Sequence, residues 1–208
     1  MYFKQIAVGY MGNFAYIFGC ENTKEAAVVD PAFDTDVIIK TASADGYKIR
    51  YIFTTHGHFD HTGGHNVMAE KTRSKIIAHK NEISSLKRNG IPVDIAVNDK
   101  DEVKVGNISV KIIHTPGHTK GGVCLLVDDK KLITGDTLFV GDCGRTDLGD
   151  GSSEELFKSI NEKLKTLRDD IEIYPGHSYG GSHSTIGNEK KTNPAMKCKT
   201  LKDFEALP

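Results

Sequence analysis

The stretch Thr54-Thr55-His56-Gly57-His58-Phe59-Asp60-His61-Thr62-Gly63-Gly64-His65 constrains this chain more than any other. The chain has nine histidines, and four of them, His56, His58, His61 and His65, fall inside it. It follows a strand-like apolar run over 50–54. His56 and His58 are two apart, so an extended or turning backbone projects them to similar sides. Asp60 and His61 come after the chain has bent. Four ligand-type side chains so close together crowd a single ion. They suit two ions a few ångström apart, one pair on each. Neutral imidazoles and carboxylates fit zinc, and also iron and manganese. A solvated loop is the bland reading of one exposed histidine; HxHxDH directly after a strand is not explained that way.

Three isolated residues follow the same logic. His118 lies in Thr115-Pro116-Gly117-His118-Thr119, Asp136 in Thr134-Gly135-Asp136-Thr137, and His177 in Tyr174-Pro175-Gly176-His177-Ser178. Each is a ligand-type residue at a strand end beside glycine, which lets the backbone turn sharply or approach closely. Alone, each reads as an ordinary turn residue. Beside HxHxDH they gain weight, because two ions need about six or seven protein ligands. His65, His79, His114 and His183 have no motif role and read as surface or packing histidines.

Composition narrows the function class. Lys plus Arg number 27 and Asp plus Glu 28, so the net charge is −1. There is no cationic excess to neutralise phosphates, and nucleic acid is not an expected partner. The charges are interspersed, which argues against acidic disorder. No apolar run approaches the roughly 18 residues of a spanning helix, so no membrane partner is expected either. The first residues, MYFKQIAVGY, alternate like a strand and lack a signal-peptide core. Cys20, Cys124, Cys143 and Cys198 are spread without a CxxC pair. The expectation is a cytoplasmic protein with free thiols.

At 208 residues one domain spanning 1–208 is expected. Strands are predicted at 2–8, 13–18, 26–29, 50–54 and 75–78. Helices are predicted from an Asp34 cap to about residue 44, over 62–72 and over 81–89. The second half starts over with strands at 103–105, 109–114, 122–127 and 131–134, the last two joined by an Asp128-Asp129 turn. A Gly- and Asp-rich loop covers 141–151. Ser152 with Glu155 reads as a capping box opening a helix to about residue 167. A strand at 171–174 and a short helix capped by Ser184 follow. Strands then helices in each half predict an α/β fold of two packed sheets with helices outside.

HxHxDH, then His118, Asp136 and His177 in that order, resembles the metallo-β-lactamase-fold superfamily over nearly the whole chain. The resemblance implies an αβ/βα four-layer sandwich with metals at one edge of the sheets. It implies His56, His58 and His118 on a first metal, Asp60, His61 and His177 on a second, and Asp136 bridging them. Asp30, closing an early strand, falls where the superfamily has its first acidic motif and would hold the site's geometry from behind.

The superfamily hosts many reactions, so the surroundings must decide. Two metals sharing a carboxylate can lower the pKa of a bridging water and polarise a carbonyl, which makes metal-assisted hydrolysis the default. Asp60 would also help orient the nucleophile. Lactamases of this fold match poorly at the second site, and nucleases usually carry basic patches that this chain lacks. The run 55–64 resembles the signature of glyoxalase II, the hydroxyacylglutathione hydrolases. Gly135-Asp136-Thr137-Leu138-Phe139-Val140 and Gly176-His177-Ser178-Tyr179 resemble it too. Tyr179 and Arg145 fall where those enzymes contact glutathione. The resemblance thus implies a thioesterase with two divalent ions, zinc first and iron or manganese next, acting on a small thiol-derived substrate; a homodimer is left open.

Two departures limit it. Fewer than about 35 residues follow His177, too few for the helical C-terminal domain of full-length glyoxalase II. Asp147 also stands where that enzyme has tyrosine. The Gly144-Arg145-Thr146-Asp147 loop looks like short glyoxalase-like proteins and equally like persulfide dioxygenases. The latter use one iron on the positions of His56, His118 and Asp136. A non-catalytic metal-binding module is the remaining alternative, and would predict a missing ligand. For Arg145 the plain reading is an ion pair with Asp142 or Asp147, and for Tyr179 packing over the tail.

Overall fold

The computed structural model describes residues 1–207. The chain opens with an antiparallel hairpin of β1 (Tyr2–Val8) and β2 (Asn13–Gly19), and β3 (Glu25–Val29) adds antiparallel to β2. Crossovers through helices then replace hairpins. α1 (Thr35–Ala44) leads to β4 (Lys48–Phe53), parallel to β3. α2 (Phe59–Thr62) and α3 (His65–Thr72) lead to β5 (Lys75–His79), and α4 (Ile83–Arg88) to β6 (Ile95–Val97), both again parallel. The first sheet runs in the order β1 to β6.

The second sheet begins as a meander of β7 (Glu102–Val105), β8 (Ile108–His114), β9 (Val123–Val127) and β10 (Lys131–Gly135). A small hairpin of β11 (Leu138–Phe139) and β12 (Asp142–Cys143) and then α5 (Ser153–Lys158) follow. β13 (Glu172–Pro175) returns parallel to β10, and β14 (Ser184–Thr185) flanks it. α6 (Ile186–Thr192), α7 (Pro194–Lys197) and α8 (Leu201–Glu205) complete the described chain.

The period of two along each strand sorts side chains into layers. From β2, Phe14, Tyr16 and Phe18 point between the sheets and meet Val110, Ile112, Leu125 and Ile133. Ala15 and Ile17, one residue out of phase, pack beneath Ile38 of α1, Met68 of α3 and Leu86 of α4. On the second sheet Leu126, Leu132 and Ile173 turn outward to Leu156, Ile186, Met196 and Phe204. Strands covered on both faces read as continuous apolar runs, and β2 and β9 are buried at every position. The result is the expected αβ/βα sandwich of four layers. Its consequence for the site is directional. β3 and β4 run the same way, as do β8, β10 and β13, so Asp30, the histidine run, His118, Asp136 and His177 all follow strand ends on one edge.

Several local expectations change. The helix predicted over 62–72 starts at His65, after Gly63-Gly64, and an unpredicted short helix, α2, precedes it at Phe59–Thr62. Asp34 takes a left-handed backbone and does not cap α1; its carboxylate accepts the Gly9 N–H at 2.8 Å, tying the β1–β2 turn to the helix. Ser152 accepts the Glu155 N–H at 3.3 Å, but the helix it opens relaxes into a π turn at Ser159–Lys163 and a 3-10 turn at Leu164–Thr166. There the Ser159 hydroxyl leaves the helix for the Pro116 carbonyl, 2.7 Å away. Thr185, rather than Ser184, caps α6. The Asp128-Asp129 turn is present, with both residues at positive φ.

Candidate metal centre

Two trios of donors converge at that edge. His56 Nε2 lies 3.1 Å and His118 Nε2 3.0 Å from His58 Nδ1. Ligands held about 2.0–2.1 Å from one ion and spread by about 90–110° lie about 2.9–3.4 Å apart. The second trio is Asp60, His61 and His177. The two Nε2 atoms are 3.1 Å apart, and Asp60 Oδ2 stands 3.6 and 3.4 Å from them. Asp136 lies between the trios. Its Oδ1 is 3.3 Å from His61 Nε2, and its Oδ2 is 3.3 Å from His177 Nε2 and 3.7 Å from His118 Nε2. All seven residues are thus brought together.

Whether this donor set suits a cation is decided behind the rings. His118 Nδ1 is 2.8 Å from the Arg145 carbonyl, and His177 Nδ1 is 3.1 Å from the Met11 carbonyl. A carbonyl only accepts, so both Nδ1 atoms must carry the hydrogen, which leaves a lone pair on Nε2 in the neutral ring. Asp30 imposes the same tautomer on His61, with Oδ2 at 3.0 Å from Nδ1. Thr55 gives its hydroxyl hydrogen to Asp30 at 2.5 Å, so its oxygen accepts from His56 Nδ1 at 3.1 Å. The lone pairs of His61 and His177 therefore face one another across 3.1 Å, which a cation or an added proton makes favourable, and those of His56 and His118 both converge on His58 Nδ1. Asp136 Oδ1, buried without a well-formed hydrogen bond, points the same way. The residues fit divalent metal ions. Asp30 itself spends its oxygens on Thr55 N–H at 2.8 Å, the Thr55 hydroxyl and His61. It orients the site from behind.

The charges reinforce one another. Burial alone would raise Asp136, but His61 and His177 hold it well below the usual carboxylate range. Burial opposes ionisation of Asp60 too, and His177, His61 and the Asn13 amide bring it down to about 2. Burial would lower His61, yet Asp136 and Asp30 push it well above its ordinary value. His177 reaches about 9 against burial, through Asp136 and Asp60. Burial first, and neighbouring histidines second, lower His56 and His58.

Several contributors carry no sequence signal. Asn13 at the start of β2 donates to the Asp60 carbonyl at 2.9 Å and to its carboxylate at 3.1 Å. The Met11 and Arg145 carbonyls act through backbone atoms, which any residue type supplies. Gly176 is needed for close approach: a Cβ there would stand 2.2 Å from Asp136 Oδ1 and 2.9 Å from the His61 ring. The Arg145 guanidinium lies on Asp147, at 2.6 and 2.7 Å, in an exposed pair. Tyr179 stacks its exposed ring on His177, 4.6 Å between centroids and 11° between planes.

His65, last of the motif, turns inward. It is fully buried, with Nε2 2.8 Å from the Thr54 hydroxyl, and burial holds its pKa down to about 4. His79 is likewise buried, stacked on His114 at 3.9 Å. His65 binds protons more readily when unfolded, near pH 6.5, so its contribution to stability is full above that value. It is lost as the pH falls toward 4, at a cost of about 3 kcal/mol. Denaturant melts between pH 7 and 4 should show a shallower decline for His65→Gln than for the parent; parallel declines would refute a buried neutral imidazole.

The model of the Metallo-beta-lactamase superfamily matches residues 8–177. The chain belongs to this superfamily. It is 33% identical to the probable hydroxyacylglutathione hydrolase glo2 of Schizosaccharomyces pombe, over 90% of this chain and 84% of that one. It is equally 33% identical to the mitochondrial persulfide dioxygenase ETHE1 of Homo sapiens, over 88% of this chain and 71% of that one. The crystal structure of ETHE1 from Myxococcus xanthus superposes with a TM-score of 0.90 at 30% identity, covering 100% of this chain and 92% of that one. The fold is the metallo-beta-lactamase fold, and members named for hydrolysis and for persulfide oxidation stand at similar distance. Among the described residues no helix is long and apolar enough to cross a membrane.

Proposed function

We propose that this chain is a metal-dependent thioesterase of the hydroxyacylglutathione hydrolase type. In this reading His56, His58 and His118 hold one divalent ion, Asp60, His61 and His177 a second, and Asp136 bridges them. The observation that supports it best is the second trio. It offers three further buried donors at ligand spacing, enough to take a second ion beside the first. Two ions bound there would supply a water of lowered pKa and a polarised substrate carbonyl. Asp60 stays ionised at neutral pH, so beside the second ion it can accept a hydrogen bond and orient the attacking water. Asn13 keeps that carboxylate from rotating. Zinc is the expected metal, with iron or manganese next, and a cytoplasmic location belongs to the same proposal.

The substrate is a small anionic thiol ester, with Tyr179 and Arg145 at the mouth. The Arg145–Asp147 pair is exposed, and such pairs are worth about 0–1 kcal/mol, so a substrate carboxylate can take the guanidinium over. Arg145→Ala should raise KM for an anionic thiol ester with little change in melting temperature. An unchanged KM would leave Arg145 as a loop tie only.

The equal identity to human ETHE1 favours a second reading, a mononuclear-iron persulfide dioxygenase. Metal analysis after aerobic and anaerobic purification, with both assays, separates them. About two ions per chain and hydrolysis of S-lactoylglutathione are expected. One iron per chain with oxygen uptake on glutathione persulfide would overturn the thioesterase; no turnover in either assay would leave a binding module.

A further inference from the structure

Glu82 is a buried carboxylate outside both trios. It stands at the start of α4 and is 3% exposed. Its surroundings are hydrogen-bond donors and a further carboxylate, Asp150, and burial pushes its carboxyl up. Oε1 accepts the Thr119 hydroxyl and, at 3.2 Å, the Gly121 N–H. Oε2 lies against Gly57, close enough that a Cβ there would stand 2.5 Å from it, and the Gly57 N–H favours its charged form. Asn81, the preceding residue, adds a bond from Nδ2 to the Lys120 carbonyl at 3.4 Å.

The sequence positions of these partners give the contact its meaning. Gly57 separates His56 from His58, and Thr119 follows His118. One buried carboxylate therefore clamps together the two loops that carry all three imidazoles of the first trio. These loops come from different sheets, after β4 and after β8, and the backbone ties them beside this carboxylate only through the Val123 N–H, which donates to the Thr55 carbonyl at 2.9 Å. Ligand groups must be held to about 0.5 Å for productive coordination, and outer partners typically contribute 10–100-fold in metal affinity.

We propose that Glu82 is a positioning residue that fixes the spacing of the His56–His58 loop from the His118 loop and so sets the affinity of the first metal position. The proposal rests on reading that trio as a metal site.

The test compares Glu82→Ala and Glu82→Gln with Leu164→Ala, a core truncation beneath the opposite helical layer. Chelator competition with zinc gives the dissociation constants of the whole protein. Amide exchange at Gly57 and Gly121 is followed in metal-free protein. Glu82→Ala should weaken one ion by roughly 10–100-fold and leave the other unchanged. Glu82→Gln should recover part of that loss, because its carbonyl can still accept from Thr119 and Gly121 while its amide meets the Gly57 N–H donor to donor. Leu164→Ala should lower the melting temperature and leave both constants alone. Glu82→Ala constants that are both unchanged, or both weakened equally, overturn the proposal. A parent protein with no ion at the first trio would instead remove the metal-centre reading. Exchange would then decide the clamp: faster at Gly57 and Gly121 in Glu82→Ala alone sustains it, and unchanged exchange removes it.

Discussion

Asp60→Ala is expected to lower thioester turnover by roughly 100-fold or more, chiefly in kcat, with one ion still bound. Loss of an outer partner alone costs about 10–100-fold, and a direct ligand should exceed that. On the proposed function Asp60 would contribute at two points: its Oδ2 stands with His61 and His177 as a donor of the second trio, and its carboxylate would help orient the attacking water. The first trio does not include it, and its ion should remain. The fold should persist as well, because Asn13 also bonds to the backbone carbonyl of residue 60, at 2.9 Å. Metal content and steady-state kinetics on the purified variant check this. Full hydrolase activity would refute the placement of Asp60 on a second ion. Unaltered iron together with unaltered oxygen uptake would favour the dioxygenase.

The candidate metal-binding residues were legible because their chemistry is narrow and their positions repeat. His118, Asp136 and His177 each stand just past a strand, and parallel directions within the sheets bring those strand ends to one edge. The sandwich was legible because strands precede helices in each half, and strands such as β2 and β9 are buried at every position, as strands covered on both faces are. What escaped the sequence was whatever acts through backbone atoms or through distance. The Met11 and Arg145 carbonyls that orient His177 and His118 have no residue signature. Glu82 looks like an ordinary charge near a helix start, and only the fold shows it lying between two loops. β6 escaped because three residues show no period. The short helix α2 escaped because its four residues, Phe59–Thr62, show no helical period.

Loading the metal-free protein with zinc at pH 7 is expected to release about two protons per chain from imidazoles, with up to about one more from a metal-held water, and to stabilise it more strongly as the pH rises. His61, lifted by Asp136 and Asp30 against its burial, and His177, lifted to about 9 by Asp136 and Asp60, are both protonated at pH 7 without a cation. Coordination requires neutral imidazoles, so each must give up its proton. His56 and His58, lowered by burial, have none to release. The sign follows from linkage. A histidine whose pKa is raised by folding contributes stability that is complete below about pH 6.5 and is lost as pH rises through its folded value. For His177 that loss centres near pH 9. The metal-loaded protein has no such loss, because the ions replace the protons as partners of Asp60 and Asp136. The gap in melting temperature between loaded and stripped protein should therefore widen from pH 6.5 to 9. With zinc at about 1,000 times its dissociation constant the stabilisation is about 4 kcal/mol, or roughly 8–16 °C for a chain of this size. Calorimetric titration in buffers of different ionisation enthalpy counts the protons, and thermal scans across pH measure the gap. A proton count near zero with a constant gap would mean that His61 and His177 are already neutral, and that the carboxylates hold no protons in trust for the metal.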